Sequence, residues 1–217
     1  MNSSQILALV PLIFIAACTI VSWRSFRLNF PGQMKLLSIA WTMMFLVEIT
    51  GHITGYLNIR NQWLYNALFF CWYPLLAMSF YYQFTNPVIR KTITGFCILF
   101  PILFLIKILF FRDNYGLQTL FFVIGGSFII LLSILYFRQL YLSDDNEQIT
   151  MDPYFWFSAG FLLYFGGNVP FLGMYNYLDA NFPGFLRFWG LYFSNAFIIL
   201  LNIFVTVGFL CRTIYRK

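Results

Sequence analysis

The chain has 217 residues, of which 61% are hydrophobic and 9% charged, and it carries a formal net charge of +6. Ordinary soluble domains are about a quarter charged, so this composition excludes a water-facing globule and reads as an integral membrane protein forming one domain over 1–217. The Lys and Arg residues lie beside hydrophobic segments, which gives them a topological role and argues against nucleic acid as a partner.

Crossing a bilayer takes about 20 mainly apolar residues. Stretches of that kind occupy 6–23, 34–57, 64–84, 92–111, 117–140, 153–174 and 185–212. The expected fold class is therefore all-α, a polytopic bundle of seven transmembrane helices in contact with the lipid bilayer. Turn-forming residues punctuate it: N-F-P-G at 29–32, N-I-R-N-Q at 58–62, T-N-P at 85–87, R-D-N-Y-G at 112–116 and L-D-A-N-F-P-G at 178–184.

The first segment has no basic leader and no A-x-A-type cleavage site, so it reads as a retained helix. Arg24 and Arg27 follow it, on the side that also takes Lys35, Arg90, Lys91, Arg138, Arg212, Arg216 and Lys217; the opposite side takes only Arg60, Lys107, Arg112 and Arg187. That imbalance puts the N-terminus outside and the C-terminus in the cytoplasm, as for a protein of a bacterial inner membrane.

The second segment contains F-L-V-E-I-T-G-H-I-T-G-Y at 45–56, which places the sole histidine, His52, four residues after Glu48. At 1.5 Å per residue Glu48 lies about 21 Å and His52 about 27 Å along the helix, in the outer third of the hydrocarbon core. Trp41, Met44, Phe45, Glu48, Gly51, His52 and Gly55 share a face, opposite Thr50 and Thr54, and Gly51 with Gly55 permits close helix approach there. A mid-membrane acid is costly and calls for a partner or a function. The candidate partners are His52, Asn168, Asn195 and Lys107, the last more naturally snorkelling outward. His52 reads equally as an interface histidine bonded to a carbonyl and as a ligand or proton-relay group.

In the third segment Trp72 and Tyr73 lie about 12 to 14 Å from the outer end, and Asn66, Tyr73 and Ala77 form a stripe. Between the fifth and sixth segments, L-S-D-D-N-E-Q-I-T-M-D-P at 142–153 reads as a solvated linker or as a dock for a basic partner, and Asp152–Pro153 as a helix start. The sixth segment holds Y-F-G-G-N-V-P at 164–170. Its Asn168 reaches the Glu48 layer, and Gly166, Gly167 and Pro170 predict a kink or local unwinding, for packing or for function. In the seventh, Asn195 lies about 15 Å below the outer end and Asn202 about 10 Å deeper, on a stripe with Thr206.

Cys18, Cys71, Cys97 and Cys211 are isolated within apolar runs and read as small buried hydrophobes, with no metal-ligand spacing. A zinc hydrolase needs several His, an intramembrane serine protease a G-x-S-G motif, and a retinal protein a lysine within the last helix. None of these is present, so neither an enzyme nor a cofactor is expected.

E-I-x-G in the second segment, W-L-Y-N at 63–66, D-P-x-F-W at 152–156, and L-N-I-F with F-L-C-R in the seventh resemble a family of small bacterial seven-helix membrane proteins, along nearly the whole chain. That resemblance implies architecture and no activity. The first segment with W-R-S-F-R and P-G, followed by the glutamate-bearing helix, also resembles the seven-helix sensing region that precedes some histidine kinases. With the chain ending just after the seventh segment, output is expected to pass to a separate cytoplasmic signalling protein. The leading expectation is a sensory or receptor-like module whose outward-facing pocket, lined by Glu48, His52, Trp72, Tyr73, Asn168 and Asn195, binds a small molecule, lipid or proton. A small proton-coupled transporter using Glu48 and a ligand-free membrane scaffold are the alternatives.

Overall fold

A computed structural model describes residues 3–110, 118–142 and 146–214. The R-D-N-Y-G break with Arg112, the acids Asp144 and Asp145, and terminal Arg216 and Lys217 lie outside the described residues. The described chain is 89% helical and contains no strand. With no water to satisfy backbone groups, helices are the economical way to cross a bilayer.

The long helices are α1 (Ser3–Ser22), α3 (Gly32–Tyr56), α4 (Gln62–Phe80), α5 (Pro87–Phe110), α6 (Thr119–Tyr141), α7 (Pro153–Gly173) and α10 (Asn195–Ile214). Short helices α2 (Arg24–Arg27), α8 (Tyr175–Asn181) and α9 (Pro183–Phe188) join them, with a 3-10 turn at Asn146–Met151 and a π-helical turn at Trp189–Ser194. Among the described residues six spans are long and apolar enough to cross a membrane, and α4 is not among them. Trp63, Tyr65, Asn66, Trp72 and Tyr73 lower its hydropathy. It nonetheless runs the length of the bundle, from Tyr65 beside Glu48 to Ser79, whose carbonyl accepts from Tyr154 Oη at 2.8 Å.

α1, α3, α4, α6, α7 and α10 pack as successive neighbours in a closed ring, and α10 returns to α1. Packed against α4, α5 also reaches α6 through ring contacts: Phe96 stacks on Phe128 at 4.0 Å, and Phe104 meets Phe121 edge-on at 4.8 Å. Its other face leaves Ile98, Leu99, Leu103, Leu109 and Phe110 exposed, an apolar surface that a lipid environment satisfies. The chain is a multi-pass membrane protein.

Local chemistry explains the joints. Asn29 and Asn58 adopt positive φ, 50° and 55°, where asparagine is among the residues best tolerated, and both sit just beyond helix ends. Asp152 caps α7 by accepting from the Tyr154 amide at 2.9 Å, with Pro153 in the first turn, as the sequence predicts. Gly125 and Gly126 let two neighbours approach α6: a Cβ would fall 2.5 Å from the Tyr73 ring and 2.6 Å from Val169, respectively. The α1–α3 junction is held by small polar groups. Ser25 and Ser38 hydroxyls meet at 2.8 Å, and Ser38 also donates to the Ser22 carbonyl at 2.8 Å.

The interior is aromatic. Trp41, Trp72, Tyr73, Phe161 and Phe165 are buried and contact one another at centroid distances between 5.6 and 6.2 Å. They form a plug across the middle of the ring. Toward the end that carries the α3–α4 turn, the packing opens.

Candidate functional site

Above the plug lies a cavity of about 540 Å³, bounded by α3, α4, α6, α7, the start of α8 and the junction with α10. Its lining includes Glu48, Asn61, Gln62, Tyr65, Trp72, Tyr164, Tyr175 and Ser194 among apolar neighbours. A second lobe of about 370 Å³ shares Leu172, Tyr175 and Ser194 and adds Asn168, Asp179 and Trp189. The larger volume falls within the range of about 300 to 1,000 Å³ common for small-molecule sites.

Glu48 is half-buried, and Tyr65 Oη donates to its Oε2 at 3.5 Å, at the long limit for such a bond. Gly51, one turn further along α3, makes room for that phenol, because a Cβ there would stand 2.7 Å from Tyr65 Oη. The Gly51 carbonyl in turn accepts from Asn61 Nδ2 at 3.0 Å, tying the α3–α4 turn to the cavity mouth. Tyr65 is thus the described partner of Glu48, and it was not among the sequence candidates. Its spacing signals it in retrospect: Tyr65, Leu68, Phe69 and Trp72 fall at i, i+3, i+4 and i+7 and line one wall.

Trp72 lines the cavity and is only 2% exposed, yet among the described residues its Nε1 has no hydrogen-bond partner; Trp189, in the second lobe, likewise has a buried Nε1 with no described partner. A buried donor left unmatched costs about 1–3 kcal/mol, so both positions favour an acceptor nearby. Asn168 lines the second lobe while donating from Nδ2 to the Tyr164 carbonyl at 2.8 Å.

The other sequence candidates sit elsewhere. Tyr73 is fully buried in the plug, with its hydroxyl donating to the Phe122 carbonyl at 3.2 Å. One step along a helix turns a side chain by about 100°, which sends Trp72 to the cavity and Tyr73 toward α6. His52 is half-buried and, like Asn195, is not part of either lining. Facing matters as much as depth here. Of the small pair beside Glu48, Gly51 is packed and Gly55 meets nothing within 4 Å.

The expected unwinding at 166–170 does not occur, since α7 continues through Gly166, Gly167 and Pro170 to Gly173. Pro170 lies in the last turn, so the Gly166 carbonyl it leaves without an i+4 donor is followed by little further helix to redirect. Gly167 serves packing: a Cβ would fall 2.4 Å from the Phe197 ring. The irregular backbone is instead the π turn Trp189–Ser194, which brings Trp189 and Ser194 to the cavity; such turns recur at functional sites. No sequence pattern marks it.

Among the described residues no group of three His, Cys, Asp or Glu side chains gathers to hold a metal. The four cysteines are free thiols; Cys97 Sγ reaches the Pro74 carbonyl at 3.5 Å. No protein-family model, curated protein or solved structure matches the chain.

Proposed function

We propose that the chain is a seven-helix receptor-like protein of a bacterial inner membrane, with its N-terminus outside, which binds a small molecule in the Glu48 cavity and passes the change in helix packing to a separate cytoplasmic protein. In this reading α4 is the seventh crossing, as its run between the two ends of the bundle supports. The carrying observation is a sizeable cavity that sets one carboxylate, tyrosines and amides among apolar side chains and ends on a closed aromatic plug. A plug of this kind suits binding better than conduction. A ligand shifts such a protein only by its differential affinity for two packings. The second lobe, bridging α7 to the π turn, is where two packings would differ. The described lining of one carboxylate, tyrosines and amides in the main lobe supports recognition in preference to bond-making chemistry, so we do not assign an enzyme activity.

The test combines topology with response. In a cysteine-free background, Ile59→Cys should react with a membrane-impermeant maleimide in intact cells and Asn86→Cys only after permeabilisation. Recovery of a cytoplasmic signalling protein in mild detergent, altered by Glu48→Gln, would support the receptor reading; the reverse labelling pattern would overturn the orientation.

One observation favours transport as the second reading. The chain between α7 and α10 is interrupted by α8, α9 and the π turn at the cavity mouth, and discontinuous helices often flank transporter sites. Glu48 would then carry a proton, and pH-dependent uptake into proteoliposomes would vanish in Glu48→Gln.

A further inference from the structure

The described residues lining the two lobes include the carboxylates of Glu48 and Asp179 and no Lys, Arg or His. Around Glu48 the wall is aromatic, with Tyr65, Phe69, Trp72, Phe122 and Tyr164 on it. These rings hold one another in place. Phe69 and Phe122 stand at 5.5 Å, Phe122 and Tyr164 at 6.4 Å, and Trp72 and Tyr164 at 6.5 Å with their planes at 89°.

Aromatic faces carry negative potential, and a carboxylate among them favours a cation. A metal cation would ask for several hard ligands at short range, and the described residues assemble no such group. A weakly hydrated organic ammonium needs only one counter-charge and aromatic contact. It would also relieve the cost of holding Glu48 within the bilayer, which no described positive residue at the cavity offsets.

We infer that the Glu48 cavity takes a small organic ammonium cation, held with its charge against Glu48 and the aromatic wall. This rests on reading the cavity as a ligand site.

Three probes separate the ideas when titrated calorimetrically into the full chain in nanodiscs: choline, its neutral isostere 3,3-dimethylbutan-1-ol, and butyrate. Choline should bind, the neutral isostere should bind about tenfold more weakly or worse, and butyrate should not bind. Glu48→Gln should weaken choline by about tenfold or more and leave the neutral alcohol unchanged. Should Glu48→Gln fail to fold, Tyr164→Leu removes part of the aromatic wall while keeping the carboxylate, and should likewise weaken choline selectively. If the neutral isostere binds as tightly as choline, or butyrate binds, the cation inference falls while the cavity stands as a ligand site. If none of the probes binds, the inference also falls.

Discussion

The indole N–H of Trp41 on α3 donates to Oδ1 of Asn202 on α10 at 2.9 Å, and both side chains are buried. The bond joins helices far apart in sequence, directly beneath the cavity. Asn202 is committed on both sides, since its Nδ2 donates to the Ile198 carbonyl at 2.8 Å. Trp41→Phe leaves Oδ1 unmatched and Asn202→Leu leaves the indole unmatched. Each should lower stability by about 1–2 kcal/mol, with a coupling energy of about 0.6–1.7 kcal/mol in the double variant, measured by denaturant titration in mixed micelles.

Packed and unpacked glycines should behave in opposite ways. Gly208 faces the Phe157 ring at 2.4 Å and the Pro153 carbonyl at 2.9 Å from a would-be Cβ, and Gly125 faces the fully buried Tyr73. Alanine at either should cost about 1–3 kcal/mol, because neither neighbour has room to move. Gly166 and Gly55 meet nothing within 4 Å. Gly166→Ala and Gly55→Ala should leave thermal stability unchanged or raise it slightly, since alanine is the better helix former by up to about 1 kcal/mol.

Helices were legible in the sequence because their signals are local. Apolar length marks the spans, Asn29 and Asn58 mark turns, and Asp152 with Pro153 marks the start of α7. Depth can be read from a sequence because helical rise is constant, yet of the residues placed at one height Glu48, Trp72 and Asn168 border one lobe or the other while His52, Tyr73 and Asn195 border neither. Facing was harder, because neighbours such as Trp72 and Tyr73 diverge by about 100° and small errors in helix phase exchange their roles. The π turn adds a residue to one helical turn and changes that phase within the last span, so depth and face estimates past Trp189 lose their reference. For α4, aromatic content lowers the apolar signal of a helix that the hydrogen bonds of Tyr65 and Tyr154 trace between the two ends of the bundle.

Asp152 does two tasks at the opposite end of the bundle. It caps α7 and accepts from Tyr136 Oη, which joins the end of α6 to the start of α7. Asparagine is as good an N-cap, and with its single oxygen on the Tyr154 amide its Nδ2 can donate to the Tyr136 phenol oxygen in place of accepting from it, so Asp152→Asn should stay within about 1 kcal/mol of the parent. Asp152→Ala loses both contacts and should cost about 2–3 kcal/mol, from the cap and the orphaned phenol together. Thermal unfolding of the pair in detergent separates the two substitutions.

Glu48 should be a liability for the fold. Its described hydrogen bond, from Tyr65 at 3.5 Å, is too long to contribute much, and Coulomb support from a described basic residue is absent from the cavity lining. Desolvating a carboxylate in a membrane costs roughly 2.5–3.5 kcal/mol on insertion scales. Glutamine keeps the shape and an acceptor for Tyr65 while removing the charge. Glu48→Gln should therefore raise thermal stability, by about 1 kcal/mol or more, and Tyr65→Phe should change it by less than about 1 kcal/mol. A residue that weakens the fold at a cavity wall is best explained by what it does for a ligand. A loss of more than about 1 kcal/mol in Glu48→Gln would instead make the acid a structural strut, and the scaffold reading would then gain over both receptor and transporter.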